Sequence, residues 1–89
     1  MKAVVTVIGK DKVGIIARVS MALYENEINI LDISQTIMQD MFTMIMLIEL
    51  PEGSLSVTEL NEQLQEIAQQ MGLSIHIQRE ELFSSMHRI

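Results

Sequence analysis

The stretch FTMIMLIEL, residues 42–50, constrains the fold more than any other, because Thr43 and Glu49 are its only polar residues. It is far shorter than the roughly 20 apolar residues of a membrane-spanning helix. It is also too continuously apolar for a strand with one face in water. A run of this kind is expected for a central strand, with neighbours on both sides and cover on its faces.

The rest of the chain supplies those neighbours. Residues 2–8 are rich in Val and Ile and predict a strand that turns Ala3, Val5 and Val7 to a core and ends at Gly9. Over residues 14–26, Ile15, Ile16, Val19, Ala22 and Leu23 recur at helical spacing, which leaves Arg18, Ser20 and Glu25 on the wetter side. Alternation returns over residues 29–39, with Leu31, Ile33 and Ile37 on one side and Asp32, Ser34 and Thr36 on the other. Asp40-Met41 offers a tight connection into the central run, so the two segments form a hairpin.

Pro51, Glu52, Gly53 and Ser54 mark a loop, and a second helix follows. Ser56 and Glu59 have the spacing of a capping box, Leu55 is placed to staple onto Leu60, and Gly72 supplies a left-handed stop. Between them, Leu60, Leu64, Ile67, Ala68 and Met71 make one apolar stripe. Leu73, Ile75 and Ile77 then alternate with Ser74, His76 and Gln78 in a half-buried strand. The order is βαββαβ, and the shortest right-handed packing of two helices on one sheet is the ferredoxin-like α+β plan, an antiparallel sheet of order 4-1-3-2. That plan leaves Val4, Ile8, Ile45 and Leu47 on the face away from the helices, an apolar patch that calls for a cover. The ending EELFSSMHRI places Leu82, Phe83, Met86 and Ile89 on one side of a helical turn or two. The expected division is therefore a domain over residues 1–80 and an amphipathic tail over 81–89, packing on the domain or on a partner subunit.

Composition narrows function mainly by exclusion. The 89 residues include 48% hydrophobic and 20% charged, a globular balance with room for one core. No signal-peptide pattern opens the chain, and it carries no cysteine, which fits a cytoplasmic protein and rules out thiolate metal sites and cysteine nucleophiles. The formal net charge of −6 opposes binding to a phosphate backbone or an anionic membrane. Against that acidity, Lys10, Lys12 and Arg18 provide half of the six basic residues and stand close together.

Catalytic and metal-binding patterns are missing. His76 and His87 lack ligand spacing from one helix, so no metal is expected. Glu59, Glu62 and Glu66 read as the solvated face of the second helix, and the eight methionines as adaptable core and interface filler. No serine sits in a nucleophile-elbow context. The stretch GKDKVG, residues 9–14, lacks the Lys-Ser or Lys-Thr of a P-loop and does not match G-x-G-x-x-G. Two readings of it stand. Either Gly9 and Gly14 turn a corner while Asp11 caps the helix, or the loop presents free N–H groups at a helix N-terminus to a carboxylate or other small anion.

IGKDKVGIIARVS followed by NEINILDISQ, within a βαββαβ order, resembles an ACT domain, a small regulatory module that binds amino acids and other metabolites. The ending QREELFSSMHRI is similar to that of small single-ACT proteins related to the glycine cleavage system transcriptional repressor. Their first-loop pattern, Gly-x-Asp-x-Pro-Gly-Ile, is matched by Gly9, Asp11, Gly14 and Ile15, with Val13 in place of proline. The resemblance implies a ligand site made from Gly9, Lys10, Asp11, Lys12, Gly14 and Ile15 of one subunit and Asn29, Ile30, Leu31 and Asp32 of its neighbour. It further implies a non-enzymatic homo-oligomer, dimer or higher, that senses an amino acid without a cofactor and signals to another protein. A ligand-free interaction module is the alternative of the same fold. Acylphosphatases share the plan but carry a loop arginine where this chain has Lys10. RNA-binding sheets need strand aromatics, whereas Tyr24, Phe42 and Phe83 are the only aromatic residues in this sequence.

Overall fold

In the computed structural model, which describes residues 1–53 and 56–81, the chain runs β1 (Lys2–Lys10), α1 (Ile15–Glu25), β2 (Asn29–Met38), β3 (Met41–Glu49), α2 (Val57–Met71) and β4 (Leu73–Arg79). The four strands form one sheet of order β2-β3-β1-β4 in which every neighbouring pair is antiparallel. This is the ferredoxin-like βαββαβ plan, with both helices on one face. Leu55 and the tail residues Leu82, Phe83, Met86, His87 and Ile89 lie outside the described residues.

Alternation along β1 and β3 builds the core. Ala3, Val5 and Val7 pair with Ile48, Met46 and Met44, and all six are completely buried beneath the helices. Val19 and Leu23 from α1, Leu60 and Leu64 from α2, and Ile75 from β4 close the same cluster. The apolar run of residues 42–50 is thus the inner strand β3, held between β1 and β2. Beyond its end the ladder continues: Leu50 N donates to Met1 O, and the N-terminal amine bonds to Leu50 O at 3.1 Å and pairs with Glu49 Oε2 at 3.1 Å.

Several local expectations are corrected by the structure. Gly9 does not end β1, which continues to Lys10; a Cβ at Gly9 would stand 2.6 Å from Leu73 Cδ2 and 3.3 Å from Leu73 Cα, so the missing side chain lets β4 pass. The hairpin turn is Gln39-Asp40 rather than Asp40-Met41. Both residues have positive φ, 50° and 69°, the hand that matches the strand twist, and Met41 already pairs with Met38. Ile16 is 39% exposed, since it lies past the edge of the surface that α1 presents to the sheet. In β2 a bulge between Ile30 and Asp32 takes Leu31 out of the regular pairing, so Ile30, Ile33 and Ile37 share the helix-side face. Even there, Ile33 and Ile37 remain exposed, because β2 projects beyond the helical layer.

On the opposite face, Ile8 and Ile45 are 39% exposed and Leu47 is half-buried, as the plan requires. Val4 departs from the expectation at only 5% exposure. It sits in register between Leu47 and Gln78, at the end of the sheet where the chain leaves β4.

The helices are closed by local devices. Ser56 and Glu59 form the capping box of α2, and Gly72 ends that helix at φ 68°. At the end of α1, Ile28 N donates to Leu23 O and Glu27 N to Tyr24 O, with Glu27 in the left-handed region at φ 58°. Asn26 Nδ2 bonds both to Ala22 O and to Gln63 Oε1, tying the end of α1 to α2.

Candidate functional site

The loop between β1 and α1 is fixed from two sides. Asp11 N donates to Asp40 O at 2.7 Å, which ties the loop to the β2–β3 hairpin. Lys12 Nζ reaches across and donates to Met71 O, a carbonyl at the free C-terminal end of α2. The last turn of α2 has no basic residue of its own, so Lys12 supplies the positive charge that the helix dipole favours there. Arg18 also turns to α2, donating to Gln70 Oε1. Much of the basic cluster in this acidic chain is therefore structural, a function not evident from the spacing of the residues alone.

Gly14 begins α1 as its N-cap, at φ 95° and ψ 0°, with no side-chain capping bond. The expectation that Asp11 caps this helix is not met: Asp11 lies three residues upstream, and the left-handed backbone at Gly14 makes the entry instead. No acidic residue occupies the first turn. The first turn of α1 therefore carries no carboxylate of its own, while Asp11 borders the same cleft from the preceding loop.

A cleft of about 210 Å³ opens at this point. Asp11, Lys12, Gly14 and Ile15 border it from the loop side, and Gln35, Ile37 and Phe42 from the sheet. Ile15 and Phe42 belong to the core at 2% exposure each, so their contribution is a rigid apolar wall. Gln35, Ile37 and Phe42 were not among the residues the resemblance implied. Their signal was the register of the hairpin, which brings the far end of β2 beside this loop.

The remaining implied residues lie elsewhere in the protomer. Gly9 is within β1 beneath Leu73, and Lys10 pairs with Met41 on the face away from the helices. Asn29 pairs with Glu49, at the other end of β3 from Met41. Eight residues of strand separate those pairs, about 26 Å at ~3.3 Å per residue. Asn29, Ile30, Leu31 and Asp32 therefore do not meet the β1–α1 loop within one protomer. Asp32 Oδ1 accepts from Ile33 N at 2.9 Å, which stabilises the bulge.

Among the described residues, no group of three or more His, Asp or Glu is gathered to hold a metal. Ser74 Oγ and His76 Nε2 are 3.1 Å apart on the exposed side of β4.

Comparison with known proteins agrees with the architecture. The family model described as "ACT domain" matches residues 2–78. A UPF0237 protein of Clostridium acetobutylicum is 57% identical over 89 residues, covering 100% of both chains. The solved ACT domain protein from Streptococcus pneumoniae superposes with a TM-score of 0.81 at 38% identity, covering 93% of each chain. Likeness to a solved candidate glycine cleavage system transcriptional repressor is more distant: the TM-score is 0.74 at 28% identity, over 88% of this chain and 44% of that one. On this 4-1-3-2 sheet, the family-model match over residues 2–78 and the relatives aligned along most or all of the chain make it a member of the ACT domain family.

Proposed function

We propose that this protein is a non-enzymatic regulator that binds an amino acid between two copies of the chain and passes its ligand state to another protein. The observation that carries the reading is the first turn of α1, which opens beside the cleft with neither a side-chain cap nor an acidic residue. A ligand carboxylate is the acceptor such a turn favours. Asn29 and Asp32 offer oxygen atoms suited to an ammonium group, and the roughly 20–26 Å between them and the loop along the sheet is the reason a neighbouring copy is required. In this reading Gly9, Lys10, Asp11, Lys12, Gly14 and Ile15 come from one subunit, with Asn29, Ile30, Leu31 and Asp32 from the next. The exposed edge of β2, with Leu31, Ile33 and Ile37 open to solvent, is the surface the second copy would cover. The proposed setting is the cytoplasm; no helix among the described residues is long and apolar enough to cross a membrane.

A second reading, an interaction module without a ligand, is favoured by one observation. Lys12 and Arg18 are already engaged with α2 and hold part of the loop in place without any ligand. Calorimetric titration with a panel of amino acids, together with light scattering, separates the two. Saturable heat from one amino acid, with a mass of two or more chains, is the expected result. An oligomer indifferent to the whole panel would favour the module, and a strict monomer would overturn the two-copy site.

A further inference from the structure

We propose that the bound amino acid of the reading above, on which this inference rests, carries an uncharged aliphatic side chain, that of valine, leucine, isoleucine or methionine. That side chain lies within one protomer, in the cleft between the start of α1 and the end of β2. The two sides of the cleft differ in kind. Charge is confined to the loop side, which Asp11 and Lys12 border, whereas the sheet side presents Gln35, Ile37 and Phe42, none of them charged. Even on the loop side Lys12 turns its ammonium elsewhere: Nζ donates to Met71 O, and a Cβ added at Gly72 would stand 3.7 Å from it. The zwitterionic end of an amino acid suits the loop side. An acidic or basic side chain reaching the sheet side would bring an ion against isoleucine and phenylalanine, at the desolvation cost of a charge without a partner.

The hairpin register explains the neutral wall. Along β2, Ile33, Gln35 and Ile37 pair with Met46, Met44 and Phe42, so all three stand in the helix-side row. Gln35 is the polar member of that row, and it keeps the wall free of charge. The apolar surface is fixed at its floor and open at its rim. Ile15 and Phe42 are core residues, while Ile16 at 39% and Ile37 at 54% exposure retain surface that a ligand side chain would bury. The bond from Asp11 N to Asp40 O holds the loop against the hairpin that carries Ile37 and Phe42, so the width of the cleft is set before a ligand arrives. Its volume of about 210 Å³ is below the roughly 300 Å³ at which clefts begin to hold drug-sized ligands. A single aliphatic side chain is the occupant that matches this size and lining.

Calorimetric titration of the full-length protein with each of the standard amino acids tests the inference directly. One of the aliphatic four is expected to bind about tenfold more tightly than glycine or any amino acid with a charged side chain. Two variants on α1, away from the β2 edge, locate the side chain. Ile16→Ser removes apolar rim and should weaken that binding about tenfold, and Ala17→Leu fills the cleft and should abolish it. Both positions are exposed, so unfolding midpoints near that of the unsubstituted protein are expected. In the unsubstituted protein, nuclear Overhauser contacts from the ligand's methyl groups to Ile16 and Phe42 should report the same placement. Tightest binding by any other amino acid overturns this inference while leaving the two-copy reading standing. So does an aliphatic ligand without those contacts, or one whose affinity is unchanged in either folded variant. If no amino acid binds, the ligand reading itself falls, and this inference falls with it.

Discussion

At the scale of single residues, two glycines and one lysine carry the region around the β1–α1 loop. Gly9→Ala would place a methyl group against the backbone and side chain of Leu73, where β4 has little freedom to retreat. Overpacking of this kind should cost about 1–3 kcal/mol, measured as a fall in the urea midpoint with an unchanged m-value. Gly14→Ala would make only an ordinary contact with Met71 Cε at 4.0 Å but must hold φ near 95°, so a loss of about 1–2 kcal/mol is expected from backbone strain alone. Lys12→Met keeps most of the stem and removes the bond to Met71 O. The expected loss is about 0.5–1 kcal/mol, shrinking as salt is added, because the contact is exposed and helix-dipole interactions are screened. A ligand-only role for Lys12 would instead leave the stability of the free protein unchanged.

Among the elements, α2 was the most legible in sequence. Its capping box, apolar stripe and glycine stop are all local signals, and each is found where expected. Ser56→Ala should therefore destabilise by about 1 kcal/mol in thermal or denaturant unfolding, through the loss of the acceptor for Glu59 N. The strands β1, β3 and β4 were legible for a related reason, since a period of two reports burial without reference to distant residues. What escaped was non-local. The extension of β1 past Gly9 depends on β4 passing beside it, and the bulge in β2 depends on pairing with β3. The wall made by Gln35, Ile37 and Phe42 depends on the register of the hairpin. Lys12 and Arg18 drew attention as charges, but their partners at the end of α2 lie more than 50 residues further along the chain. Such pairings leave no periodic trace in one sequence.

For the molecule as a whole, the unbalanced side is β2. It is an edge strand of ten residues whose apolar side chains outreach the helices meant to cover them. Replacing Ile33 and Ile37 together by lysine should leave the fold intact, because neither is a core residue, while shifting the scattering mass from an oligomer toward a single chain. An unchanged mass would move the subunit contact elsewhere. The sheet order has a further consequence, for synthesis on the ribosome. The first strand made, β1, lies between β3 and β4, and its residue Ala3 pairs with Arg79. Its inner position stays half-filled until almost the whole chain has been translated. A nascent chain stalled after α2 would present one bare edge of β1, rich in valine, to its surroundings. Completion of the seven-residue strand β4 is the event that covers this edge and leaves a shorter strand on the outside.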